Sequence, residues 1–275
     1  MAMYRDHLPQ LDGGLFLTDA GIETDLIFNH DIEIREFAAH TLLPDDQGRA
    51  ALTRYFDGFL ALARDAGSGF ILDTQTWKAH SHWAEDLGET PAELHDANRA
   101  AVAFVSGLRA DHSTNAGPIV LNGLIGPRGD AYAPEQEIAA GEAEAYHREQ
   151  MGWLAETDVD MVTAMTFTQS DEATAGAAAY FMVNCAHPDH FAGALVDSDW
   201  ARRIRGLRCN ASRMSHAELD ECEVLDDGDP VELGASYRRL RQEMPWLNVF
   251  GGCCGSDLRH VTEIARAVGA IPEAS

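Results

Sequence analysis

Seven short runs along the chain, most of them continuous apolar stretches, read as strands, at residues 15–21, 69–75, 119–126, 160–168, 180–185, 204–210 and 247–252. Runs of this kind make strands that must be covered on both faces, which a parallel sheet wrapped in helices provides. The stretches between them carry helical periodicity, so the chain reads as successive βα units. Leu52, Tyr55, Phe56, Phe59 and Ala63 recur at helical spacing and stop at Gly67, a residue suited to the left-handed position after a helix. Thr90, Pro91 and Glu93 form a capping box ahead of the buried stripe Leu94, Ala97, Ala101, Val105 and Leu108. A helix over 142–156 is expected to turn Ala145, Tyr146 and Leu154 inward. Ser215 and Glu218 start another, Pro230 precedes one bearing Leu233, Tyr237 and Leu240, and Ser256 is expected to cap the last, with Val261, Ile264 and Val268 buried before Gly269. No repeat or low-complexity linker divides the sequence, so residues 1–275 are expected to form a single domain.

One interval breaks the rhythm. Only about eleven residues, 169–179, separate the fourth run from the fifth, where a parallel crossover needs about a dozen or more. Either the helix here is unusually short or a βα unit is absent.

Charge narrows the range of partners. Forty-five acidic against twenty basic side chains leave a formal charge of −25, and Lys78 is the lone lysine. Nucleic acid and anionic membrane surfaces both require a basic face, so neither is an expected partner. No apolar run approaches the roughly 18 residues of a membrane span, and the opening residues 1–14 lack the apolar core of an export signal, so a cytoplasmic location is expected. Five cysteines make a poor disulfide framework and point to thiols kept for metal or for catalysis.

The segment that carries most chemistry is 248–257, Asn-Val-Phe-Gly-Gly-Cys-Cys-Gly-Ser-Asp. It puts Cys253 and Cys254 at the carboxyl end of a strand, the edge where α/β folds place their active sites. Val183-Asn184-Cys185 ends another strand at the same edge. Three thiolates from two strand ends, with a fourth position open, suit a catalytic zinc site. Cys209, near a third strand end, reads mainly as a buried structural thiol, and Cys222 falls on a charged helix. Trp77 and Trp83, with His80 and His82 between them, follow the second strand and are candidates for a cation pocket or for simple packing. His187 and His190 are candidate extra imidazoles, and the 126–130 loop offers Arg128 either to a substrate carboxylate or to a surface salt bridge. No phosphate-binding glycine fingerprint is present.

Taken together, Gly251-Gly-Cys-Cys-Gly-Ser256, Asn184-Cys185, the opening Leu17-Thr-Asp19-Ala-Gly21 and Asn122-Gly-Leu-Ile-Gly126-Pro127 resemble the homocysteine S-methyltransferase family, in order and over almost the whole chain. The resemblance implies a TIM-type (β/α)8 barrel, here lacking one βα unit within 169–179 and left with about seven core strands. It implies zinc on Cys185, Cys253 and Cys254, and transfer of a methyl group from an onium donor such as betaine, S-methylmethionine or S-adenosylmethionine to a thiol acceptor, homocysteine, giving methionine. Asp19 is retained and, by the resemblance, belongs to the active site and meets the acceptor's amino group. Met165 stands where the family commonly carries a second acidic residue, and a thioether holds no ammonium, so Glu23 or Asp73 is the expected substitute. Trp77 is expected to contact substrate. A barrel short of one strand either closes on seven, stays open, or associates with a second copy as a homo-oligomer. Two other readings use the same residues: a vicinal-dithiol redox protein on Cys253 and Cys254, and a metal-binding relative that has lost catalysis.

Overall fold

The computed structural model describes all residues except 114–116, 132–137, 170–171, 173–177, 196–198, 216–217, 220–221, 223 and 273–275. Each of the seven apolar runs holds a strand: β1 (Phe16–Thr18), β2 (Gly69–Asp73), β3 (Ile119–Ile125), β4 (Met161–Ala164), β5 (Phe181–Asn184), β6 (Ile204–Cys209) and β7 (Val249–Gly252). They form one sheet, every pairing parallel, in the order β4-β3-β2-β1-β7-β6-β5. Helices cover its outer face: α1 (Asp46–Asp65), α2 (Pro91–His112), α3 (Ala140–Ala155), α4 (Pro188–Leu195), α5 (Pro230–Glu243) and α6 (Leu258–Ala267). The fold is a curled TIM-type barrel missing one unit. Among the described residues β4 and β5 share no ladder, yet the sheet curls enough for Asn184 Nδ2 to donate to Thr166 Oγ1 at 2.9 Å across the opening. A cleft between the two edges is lined by Met161, Thr163, Tyr180, Phe181 and Met182. Most of the interval 169–179 lies outside the described residues, as do parts of 218–223. No helix among the described residues is long and apolar enough to cross a membrane.

Strand side chains alternate between the helices and the barrel interior. Leu17, Phe70, Leu72, Leu121, Leu207 and Phe250 point outward into one large core with the helices, including Phe56, Phe59, Tyr237 and Ile264. Phe16, Ile71, Val120 and Val249 point inward, joined by Met161 and Met182 and closed from below by Tyr4 and Leu8. Burying each side chain of this apolar floor is worth roughly 1.5–3 kcal/mol. Two residues further along each strand the inward position becomes polar: Thr18, Asp73, Asn122, Thr163, Asn184 and Arg208, with Gly251 on β7. The floor holds the sheet together, and the polar layer above it faces the carboxyl-terminal edge of the strands.

The N-terminal segment is tied under the floor through Asp160, whose buried carboxylate accepts from the backbone of Met3 (2.6 Å), Tyr4 (2.8 Å) and Leu121 (2.9 Å) and from Arg109 Nη1 (2.8 Å). Helix starts and stops follow local chemistry. Thr90 and Glu93 form the expected capping box, and Gly67 takes φ 61° just after α1. Two expectations are corrected. The cap of α6 is Asp257, accepting from Arg259 N at 2.8 Å, because the hydroxyl of Ser256 is used to donate to Cys253 O at 2.6 Å. In α3 it is Ala143, His147, Gln150 and Leu154 that are buried, while Ala145 is exposed and Tyr146 half-buried. The seam beneath this helix is polar: Gln150 Nε2 donates to Thr76 O at 2.8 Å, and His147 Nε2 lies 2.8 Å from Glu172 Oε1.

Candidate metal centre and substrate cavity

The three cysteines meet because the end of β6 holds both of the loops that carry them. Cys185 N donates to Arg208 O at 3.1 Å, and Cys253 N donates to Cys209 O at 2.9 Å. Cys185 turns at φ 56°, a left-handed conformation uncommon outside glycine, which takes the chain off β5 immediately after Asn184. On the opposite side the loop after β1 closes against Cys253, and only a glycine allows that approach. A Cβ on Gly21 would sit 2.6 Å from Cys253 O. Beyond it, Gly255 N donates to Thr24 Oγ1 at 3.1 Å.

The sulfurs of Cys185 and Cys254 are 3.6 Å apart, those of Cys253 and Cys254 4.0 Å, and all three lie within 4.8 Å of one another. Tetrahedral Zn–S bonds of about 2.3 Å require sulfurs about 3.8 Å apart, so the cluster has the size of a zinc site. Thiolates are the donor type that selects such a metal, and three ligands leave a fourth position open. The cluster shares its protons unevenly. Hydrogen bonds from Cys185 and Cys254, helped by the Arg208 charge, hold the Cys253 thiol well below its ordinary value, while Cys254, keeping its proton for those bonds, is pushed well above.

Cys253 and Cys254 open onto a cleft, about 660 Å³ counting the space open to solvent, lined also by Asp19, Glu23, Asp73, Trp77, Met165 and Arg208. Arg208 is the residue that sequence reasoning missed. It lies on the inward side of β6 and is buried, 6% exposed, between two carboxylates. Nη2 meets Asp19 Oδ1 at 2.5 Å, Nη1 pairs with Asp73 Oδ2, and Nε donates to Gly252 O at 3.2 Å. Asn122 Nδ2 donates to Asp73 Oδ1 at 2.7 Å and Thr163 Oγ1 to Asn122 Oδ1 at 2.9 Å, so the polar layer is one connected network. Burial opposes the Arg208 charge, but Asp73 and Asp19 outweigh it and its pKa is raised. Burial pushes Asp19 up to about 8 against the pull of Arg208, and pushes Glu23 up to about 7. The signal that would have found Arg208 is its parity: two residues after Gly206 it falls at an inward position of the strand, whereas Arg205 in the same run falls at the opposite parity.

The other candidates divide. Trp77 lines the cavity, its Nε1 donating to Met165 O at 3.0 Å. Trp83 does not line it and lies under Lys78, whose Nζ is 3.8 Å from the ring centre. His80 Nδ1 is 2.5 Å from the Tyr146 hydroxyl, and His82 N donates to the same oxygen at 3.1 Å. Arg128 turns to Glu142 instead of the cavity. His187 and His190 stay out of the sulfur cluster; Nδ1 of His187 accepts from Asp189 N at 3.2 Å and Nε2 of His190 is 3.0 Å from Arg213 O. Cys209 is buried away from the cluster beside Tyr237, and burial pushes its thiol up to about 12. Cys222 is exposed, its thiol donating to Glu218 O at 3.2 Å.

Comparison with known proteins identifies the lineage. The sequence profile of the homocysteine S-methyltransferase family matches residues 16–180 and 175–268. The chain is similar to crystal structures of the homocysteine methyltransferase MmuM from Escherichia coli. For the oxidised form the TM-score is 0.61 at 15% identity, covering 92% of this chain and 96% of that one. For the metallated form it is 0.61 at 14% identity, covering 93% and 97%. At such identities the likeness is one of fold. No curated protein sequence matches the chain.

Proposed function

The chain belongs to the homocysteine S-methyltransferase family, and from that premise we propose that it is a zinc-dependent enzyme that moves a methyl group from an onium donor to a thiol acceptor. Homocysteine, which would yield methionine in the cytoplasm, is the reference acceptor. The observation that carries this reading is the convergence of Cys185, Cys253 and Cys254 to zinc-site spacing, with Cys253 and Cys254 lining a cleft at the same edge. A metallated form of MmuM is consistent with it.

Cys185, Cys253 and Cys254 would hold the zinc, which supplies a Lewis acid able to keep a thiol ionised at neutral pH. The remaining work falls to the chain itself. The backbone of β6 fixes both cysteine loops, so the sulfurs need little rearrangement to receive the metal. Trp77 offers an aromatic face, and Glu23 a carboxylate, to the cationic centre of the donor. Phe37, Phe56, Leu124 and Met165 line the walls and exclude water from the transfer. Asp19 and Asp73 act through Arg208, holding the polar layer beneath the substrates. In the reaction the acceptor sulfur forms a bond to the methyl carbon as the bond from that carbon to the onium atom breaks. The electron pair leaves with the donor, which becomes neutral, and the thiol proton passes to solvent. We also infer that the absent βα unit is the one that would stand between β4 and β5, within 169–179.

Anaerobic metal analysis tests the reading. One zinc per chain is expected, lost in Cys185→Ala and in Cys253→Ala and kept in Cys209→Ala. The zinc-loaded protein should methylate a thiol with at least one of betaine, S-methylmethionine and S-adenosylmethionine. Retention of zinc by both ligand variants, or no methylated thiol from any donor across a panel of acceptors, refutes it.

A further inference from the structure

The loop that follows β1 returns to the cleft at residues 35–37, and there its backbone is strained. Glu36 (φ 50°, ψ 27°) and Phe37 (φ 57°) are the one adjacent pair of non-glycine residues in the left-handed region among the described residues. Such residues persist only where their surroundings hold them. Here the holding group is the lone lysine. Lys78 Nζ donates to Glu36 O at 2.8 Å, the carbonyl of the peptide that joins the two strained residues. The lysine stands on a firm base after β2. Its Nζ lies 3.8 Å from the centre of the Trp83 ring. The two residues before it are tied to β3 and to the end of β4, Thr76 Oγ1 donating to Leu124 O at 2.6 Å and Trp77 Nε1 to Met165 O at 3.0 Å. A second tie, Arg35 Nη2 to Glu89 Oε1 at 3.0 Å, grips the loop one residue before the strained pair. Outward, Arg35 and Glu36 are exposed; inward, the half-buried Phe37 lines the cleft together with Trp77, Cys253 and Cys254.

We propose that Lys78 is a positioning residue for the methyl donor: by holding the peptide between Glu36 and Phe37 it keeps the Phe37 ring in the wall of the cleft, against the onium group. The two substrates depend on that wall unequally. The thiol is anchored through the metal, whereas the cationic centre of the donor is no ligand for zinc and relies on the walls around it. Loosening Phe37 therefore weakens the donor and spares the thiol. This rests on the methyl-transfer reading and deepens it by naming the residue that sets donor affinity.

Trypsin reads the latch, and steady-state kinetics read its effect. Lys78→Met keeps an unbranched apolar stem on Trp83 and removes the ammonium. In the zinc-loaded variant the cut between Arg35 and Glu36 is expected at least fivefold faster, with cleavage inside α1 and α2 unchanged. Lys78→Arg, which still donates to Glu36 O, should return the rate to within twofold of the unaltered protein. With whichever of betaine, S-methylmethionine and S-adenosylmethionine the unaltered protein uses, Lys78→Met should raise the donor KM at least fivefold, leave the thiol KM within twofold and keep one zinc per chain. An unchanged rate at Arg35, or a rate that rises equally at all sites, overturns the latch. Equal rises in both KM values overturn the role in donor binding. The outcomes separate the two readings. Turnover with an unmoved donor KM in Lys78→Met leaves methyl transfer standing and removes the role of Lys78, whereas no turnover by the unaltered protein removes both.

Discussion

Replacing Tyr237 with phenylalanine removes one oxygen from beneath the metal centre. The Tyr237 hydroxyl on α5 accepts from Cys209 N at 2.8 Å and donates to Gly251 O at 2.7 Å, joining the ends of β6 and β7 just below the cysteines. The side chain is 0% exposed, so water cannot replace the hydroxyl. Tyr237→Phe keeps the ring and its packing on Phe250 and leaves one N–H and one C=O buried without that partner. Each such group costs about 1–3 kcal/mol, which sets the expected loss at about 3 kcal/mol. Scaled at about 2.1 cal/mol/K per residue over 275 residues, that loss lowers the melting temperature by about 5 °C. Because Cys209 O holds Cys253 N, zinc should also leave faster, although its stoichiometry stays at one. Denaturant unfolding of the zinc-loaded proteins, with a chelator chase for zinc release, measures both. A loss below about 0.5 kcal/mol, or unchanged zinc release, would show that the hydroxyl does not join the two strand ends.

Two further predictions follow from buried carboxylates. Glu23 is raised to about 7 in the folded chain from an ordinary 4.5, so it favours folding below pH 4.5 and that contribution is lost as pH rises to 7. The full shift converts to about 3 kcal/mol, which partial solvation of the side chain reduces to about 2 kcal/mol. Glu23→Gln should therefore be the more stable protein at pH 8 and show little difference at pH 4.5, and urea midpoints that differ equally at both pH values would contradict this. Asp160→Ala removes the acceptor of four bonds and leaves Arg109 with its ion pair broken, at an expected cost of about 3–5 kcal/mol. Proteolysis should then cut the N-terminal segment ahead of the barrel, and intact resistance of that segment would argue against its being anchored through Asp160.

Much of the architecture is legible in the sequence because its causes are local. A strand covered on both faces must be apolar at consecutive positions, so all seven strands lie inside the expected runs. Capping at Thr90 and the left-handed Gly67 need only the neighbouring residues. The inward face of α3 and the cap of α6 differ from expectation for the opposite reason. His147 and Gln150 are inward because Glu172 and Thr76 wait for them, and Ser256 loses the cap to Asp257 because the Cys253 carbonyl claims its hydroxyl.

The same division runs through the site. By itself the sequence determined that Cys185, Cys253 and Cys254 reach one edge of the sheet, since each follows directly on a strand and parallel strands share their carboxyl ends. It also determined that the chain is short by about one unit, because no crossover fits between the fourth and fifth runs. Only the tertiary structure decided that the sulfurs converge to within 4.8 Å, because that distance is set by the curl of the sheet and by the grip of β6 on both loops. It alone decided the ionic state of the cavity. Asp19, Asp73 and Arg208 are separated by as many as 189 positions in the chain, and no local pattern says that the guanidinium of one strand will close between the carboxylates of two others.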